Sequence, residues 1–182
     1  MLPDAEAFAI WITGLPASGK STVAAVLAEN IRQFGIRVAV LESDVLRKVF
    51  SQQPTYDEAD RDYFYQALAW IGQTLTEHGC AVIFDATANR RAYRDRARKT
   101  IRRFIEVFLD CPLDVCIGRD PKGIYRSGRE GQASHVPGLQ SAYEPPEQPD
   151  IVIQGDQDDP EQATRRIVAV LAAKGFLKGG EP

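Results

Sequence analysis

Short apolar runs recur along the chain at residues 8–12, 36–41, 80–84, 104–109 and 151–153, separated by polar or amphipathic stretches. Runs of this length bounded by turn-forming residues read as buried strands. After the first run, Val23, Val26, Leu27, Ile31 and Phe34 recur at helical spacing and stop at Gly35. Thr55-Tyr56-Asp57-Glu58 has the form of a capping box and predicts a long helix ending at Gly79. Asp159-Pro160-Glu161-Gln162 predicts the start of a closing helix, whose Ile167, Val170 and Leu171 face the core. Strands alternating with helices predict an α/β fold in three layers, a mostly parallel five-stranded sheet with helices on both faces.

The alternation fails between residues 120 and 150. Pro121, Gly123, Gly128, Gly131, Pro137, Gly138, Pro145, Pro146 and Pro149 break up a polar stretch that carries Lys122, Arg126 and Arg129. A cationic segment after the fourth strand predicts a mobile lid over phosphates at about 120–148; the plainer alternative is a disordered surface loop. The tail Lys178–Pro182 reads as frayed. A chain of 182 residues suits one domain spanning 1–182.

The first strand runs into Gly14-Leu15-Pro16-Ala17-Ser18-Gly19-Lys20-Ser21-Thr22 and then into the first helix. Glycines at both ends of this spacing let successive backbone N–H groups face a phosphate, and the helix N-terminus adds partial positive charge. Lys20 can reach the β- and γ-phosphates of a nucleotide such as ATP, and the Ser21 hydroxyl can complete the coordination of Mg²⁺. The competing reading is an ordinary glycine-rich turn.

Bulk properties narrow the partners. A net charge of −3 argues against broad nucleic-acid or membrane-surface binding, and no apolar run approaches the roughly 20 residues that span a bilayer. Cys80, Cys111 and Cys116 lie in or near apolar runs, so they read as buried thiols. Their odd number and the absence of a basic leader predict a cytoplasmic protein. His78 and His135 are far apart and no Cys/His cluster has zinc spacing, so the expected metal is Mg²⁺ arriving with the nucleotide.

Ligands of open α/β sheets bind beyond the carboxyl ends of the strands. Two carboxylates lie there: Asp44 after the second run, and Asp85 at the end of the third. Either can orient an attacking hydroxyl or hold Mg²⁺, and either can equally be a turn or N-cap carboxylate. Arg47, three residues after Asp44, can share a helix face with it. Residues 90–103 carry eight cations against Asp95 alone, which reads mainly as a solvated face, with Arg91 near the strand end as the exception.

Together these motifs resemble the adenylylsulfate (APS) kinase family over about Trp11 to Asp150. The specific segments are Glu106–Cys116, Arg119–Tyr125 and Tyr143-Glu144-Pro145-Pro146-Glu147. The resemblance implies a P-loop kinase fold with ATP as donor, Mg²⁺ as cofactor, and phosphorylation of the ribose 3′-hydroxyl of APS. It also suggests a homodimer. It makes Asp44 the base, Lys122 the lid lysine, Arg119 a neighbour of the donor adenine, and Arg47, Arg61 and Arg91 acceptor-binding cations. Tyr56 stands where the family has a phenylalanine. Val45 replaces an asparagine, Phe64 an acceptor-contacting asparagine, and Val136 an aromatic residue that covers the acceptor's adenine. These departures predict that anion binding outlasts base selectivity, and that Val136→Phe tightens APS binding. Phe84–Asn89 is also similar to an Asp-x-Thr-x-Asn run of other P-loop kinases, which keeps open a kinase for another hydroxylated or anionic metabolite. A nucleotide-binding module without turnover is the third reading.

Overall fold

The computed structural model describes residues 7–51 and 53–177; the tail from Lys178 lies outside them. Five strands form one sheet in the order β2-β3-β1-β4-β5: β1 Ala9–Gly14, β2 Val38–Glu42, β3 Ala81–Asp85, β4 Phe104–Asp110 and β5 Ile151–Gln154. Every pairing is parallel, so the expectation of a mostly parallel sheet is met in full.

Side chains alternate across the strands, and the sheet therefore has two apolar faces. On one, Phe8, Ile10 and Ile12 pack with Val23, Leu27 and Ile31 of α1 (Lys20–Gln33) and with Ile167 and Leu171 of α7 (Pro160–Ala173). On the other, Trp11 stacks on Phe84 at 4.4 Å, among Leu68 of α3 (Glu58–Glu77) and Tyr93 and Ala97 of α4 (Arg91–Thr100). Gly72 lets α3 approach the sheet: a Cβ there would lie 2.1 Å from the Phe84 ring. The closing helix starts as expected, with the Asp159 carboxylate accepting from the N–H groups of Glu161 and Gln162.

The structure differs from the sequence expectations in four places. Asp57, rather than Thr55, caps α3: its carboxylate accepts the Asp60 N–H, and Thr55 donates its hydroxyl to Asp57. An ionised cap accepts more strongly than a hydroxyl. Arg94 is not on a solvated face; it is 1% exposed and buried against the sheet. Cys80 is half-buried, whereas Cys111 and Cys116 are buried; all three are free thiols. The segment after Asp120 is not an irregular loop throughout. After α5 (Leu113–Arg119) it forms α6 (Ile124–Arg129), buries Tyr125 and Val136, and anchors the Tyr125 hydroxyl on the Pro16 carbonyl at 3.1 Å. Among the described residues, no helix is long and apolar enough to cross a membrane.

Candidate active site

The loop after β1 is shaped by backbone conformations that its residues make possible. Gly14 has φ 156°, and a Cβ there would sit 2.6 Å from the Leu109 carbonyl and 2.8 Å from Ser18 Oγ. Gly19 is left-handed at φ 101°, and Ala17 adopts φ 62° without being glycine. Such strain persists where surrounding structure over-determines it, commonly at a ligand clamp. No side chain caps the start of α1, so its leading N–H groups remain available to an anion. Ser18 Oγ is buried without a hydrogen-bond partner among the described residues. An orphaned hydroxyl and uncapped N–H groups on one turn fit a nucleotide phosphate.

Lys20 Nζ folds back onto the loop, donating to the carbonyls of Leu15 (2.7 Å) and Gly14 (3.1 Å). Burial lowers its pKa, opposed by the carboxylates of Asp85 and Asp44. The loop opens on a cavity of about 710 Å³. Its wall includes Ser21, Thr22, Asp44 from the segment after β2 and Asp85 from the end of β3. Asp44 lies in the first turn of α2 (Ser43–Phe50) and pairs with Lys122 across 2.5 Å. That hydrogen bond is the main reason the Lys122 pKa is raised. Both members of the pair are more than half exposed, so the contact is readily exchanged for another partner. Asp85 is buried, and among the described residues no side chain pairs with it. Arg119 lines the same cavity and donates to the Gly155 carbonyl at 2.8 Å.

The expected acceptor residues divide into two groups. Arg47, Tyr56, Arg61 and Val136 line the cavity; Arg91 and Phe64 do not. Arg47 forms no ion pair with Asp44 and instead pairs with Asp60 at 3.0 Å. Arg91 is drawn away by Glu144 and by Glu147, which its guanidinium contacts on the surface. Phe64 is buried beneath Arg47, its ring centre 4.0 Å from the guanidinium carbon. The Val136 side chain turns inward into a cluster with Cys111, Cys116 and Tyr125, leaving exposed His135 at the cavity wall.

A network behind this wall holds Arg61 and the segment after Ala88 in place. Arg61 donates to the carbonyl of His135 (2.7 Å), to Asn89 Oδ1 (3.1 Å) and to the Tyr56 carbonyl (2.8 Å). Asn89 in turn donates to the Ala142 carbonyl. Arg94 bonds Glu106 at 2.6 Å, the Glu144 carbonyl at 2.7 Å and the Ala88 carbonyl. Tyr143 sets its hydroxyl 2.9 Å from Thr13, and burial pushes its pKa up to about 12. A usable signal did exist for Arg94, because Glu106 interrupts a buried strand and a buried carboxylate requires a cation. Asn89 closes the Asp-x-Thr-x-Asn run noted above, which gave no hint of its bond to Arg61, and nothing pointed to Asp60.

A parallel sheet carrying this loop at the end of its central strand defines a P-loop kinase. The adenylylsulphate kinase family model matches residues 6–154. The chain is 36% identical to an adenylyl-sulfate kinase of Synechococcus sp. (strain JA-3-3Ab), covering 93% of this chain and 96% of the relative. It is 31% identical to a probable adenylyl-sulfate kinase of Pyrococcus abyssi, covering 94% and 99%. Its structure superposes with a TM-score of 0.85 on the Mycobacterium tuberculosis APS kinase in complex with AMPPNP and APS, at 34% identity over 92% of this chain and 98% of that one. The chain belongs to the adenylylsulphate kinase family.

Proposed function

We propose that this chain, acting as one catalytic unit, transfers the γ-phosphoryl group of ATP to the 3′-hydroxyl of adenylylsulfate, giving 3′-phosphoadenylylsulfate. The observation that carries the reading is the convergence of Lys20, Asp44, Asp85 and Lys122 on one cavity beyond the carboxyl ends of β1, β2 and β3. Two cations and two carboxylates of that kind suit in-line phosphoryl transfer, in which little covalent work is left to the protein.

Each residue has a defined part. The loop N–H groups and Lys20 hold the donor phosphates, with Lys20 leaving the Gly14 and Leu15 carbonyls to do so. Ser21 and Asp85 are the residues that would hold Mg²⁺, which neutralises charge on the β- and γ-phosphates when bound. Asp44 accepts the proton of the attacking hydroxyl. Lys122, released from Asp44, covers the transferring group, and Arg119 borders the donor base. Arg47 and Arg61 take the anionic phosphosulfate through charge-assisted hydrogen bonds. Arg91, held by Glu144 and Glu147, is left out of that set.

The test is ADP release in a coupled assay with MgATP, with and without APS. APS-dependent release supports the reading. Release only with another hydroxylated anion redirects the kinase to that acceptor, and no release with any leaves a nucleotide-binding module.

A further inference from the structure

Arg47 sits in an environment unusual for a cation. Its guanidinium carbon lies 4.0 Å from the Phe64 ring centre, 4.9 Å from that of Tyr56 and 5.6 Å from that of Tyr65. The side chain is 5% exposed, and among the described residues its one ionic partner is Asp60, which accepts from Nη1. The other amino group, Nη2, is buried without any hydrogen-bond partner among the described residues. A guanidinium has five donors, and a buried donor left unmade is destabilising. Something other than stability therefore accounts for a dry, half-satisfied cation in a cavity wall.

The arrangement around it is fixed from one helix face. Asp60 Oδ2 accepts from Arg47 Nη1 at 3.0 Å and from the Tyr56 backbone N–H at 3.1 Å, so one carboxylate oxygen holds both the cation and the ring over it. Tyr56 adopts φ 59°, a left-handed conformation that this N–H bond helps to hold. Its ring also lies 5.8 Å from the Arg61 guanidinium carbon, spacing two like charges that face the same cavity. Asp60 and Phe64 are four residues apart on α3, hence neighbours on its surface.

Resting on the reading that APS is the acceptor, the geometry points to Phe64 as a positioning residue. Together with Tyr56 and Asp60 it holds Arg47 flat and desolvated, with Nη2 kept as the unmade donor that the acceptor's anionic group satisfies. Phe64 touches no substrate; it acts through Arg47. A ring face under a desolvated guanidinium fixes its plane more firmly than aliphatic packing. An anion gains more from a donor already stripped of water than from one that must first shed it.

The test compares wild type, Phe64→Leu and Phe64→Tyr in the coupled assay. Phe64→Leu raises the KM for APS by about 5- to 30-fold, more than it lowers kcat, and leaves the KM for MgATP within about twofold; Phe64→Tyr, which restores a ring, returns the APS KM to near the wild-type value. An unchanged APS KM in Phe64→Leu, or a tyrosine variant as weak as the leucine one, overturns the proposal. If wild type shows no APS-dependent turnover, the functional reading fails on its own. Calorimetric titration of inorganic pyrophosphate into protein saturated with MgADP then decides: the same ranking of variants upholds the anion clamp, and equal affinity or no binding removes it. Should Phe64→Leu fail to fold, Tyr56→Leu at the exposed ring replaces it, with Tyr56→Phe as its rescue and the same criteria.

Discussion

Replacing Arg94 with leucine puts the most demanding part of the interior to a quantitative test. The wild-type guanidinium is 1% exposed, bonded to Glu106 through Nε at 2.6 Å and to the Glu144 carbonyl at 2.7 Å, and also to the Ala88 carbonyl. After the change, Glu106 keeps, among the described residues, only the Arg98 pairing at 3.2 Å, and that arginine is 36% exposed. Breaking a buried ion pair from one side destabilises by about 3–5 kcal/mol, because a charge is left in a poor solvent. The Arg98 contact keeps the expected loss near the lower bound, about 3 kcal/mol. For a chain of this length that lowers Tm by about 6–12 °C. Urea unfolding followed by circular dichroism, with calorimetry beside it, measures both quantities. The double variant Arg94→Leu/Glu106→Leu removes the stranded carboxylate and should recover at least about half of the loss. A single-variant loss below about 1 kcal/mol, or a double variant no better than the single one, refutes the claim that Glu106 needs Arg94 to stay charged and buried.

Lys20→Ala should fold and lower kcat by at least about 10²-fold, since a preorganised charge at the donor phosphates is gone; near-normal turnover disproves the donor assignment. Asp44→Asn should lower kcat by about 10²- to 10⁴-fold at unchanged MgATP affinity, because an amide cannot take the hydroxyl proton. If Asp85→Asn instead shows the loss confined to kcat, the base is Asp85. Val136→Phe, which the sequence predicts to tighten APS binding, should instead destabilise by about 1–3 kcal/mol, as the ring would enter the packed Cys111, Cys116 and Tyr125 cluster; a lower APS KM with unchanged Tm contradicts this. The Tyr143 phenol ionises near 10 when unfolded and near 12 when folded, so the folded state holds its proton longer and stability should fall as pH rises from about 10 to 12. Tyr143→Phe should flatten that part of the pH profile in thermal melts.

The strands were legible because parallel strands buried on both faces leave continuous apolar runs, and the donor loop because its chemistry is local in sequence. The acceptor wall was not, since its contacts join residues far apart in the chain. Arg61 reaches Asn89 and His135, and Arg47 finds its partner in Asp60 rather than in the nearby Asp44. Sequence spacing gives a shared helix face but not which of two carboxylates a flexible cation will choose. The resemblance placed Val136 beside the acceptor; the choice between inward and outward side chains at 135 and 136 was made by packing against Tyr125 and the cysteines, which only tertiary structure reveals. Pro and Gly marked the interruption after residue 120 but concealed α6 within it.

The residues proposed for the two substrates come largely from different stretches of chain. The proposed donor-side residues belong to the β1–α1 loop, α5 and the turn after β5, whereas the cavity residues Asp44, Arg47, Tyr56 and Arg61, with Asp60 and Phe64 behind them, fall between the start of α2 and the middle of α3. That stretch leaves the edge strand β2, and its Phe64 and Tyr65 reach the core beside Trp11 of the central strand. Most of the proposed acceptor-side residues thus lie on one stretch, which leans on Asn89 and His135 from elsewhere in the chain. Grafting residues 43–65 from a kinase of this fold with a different acceptor should move the acceptor preference while the KM for MgATP stays with the host.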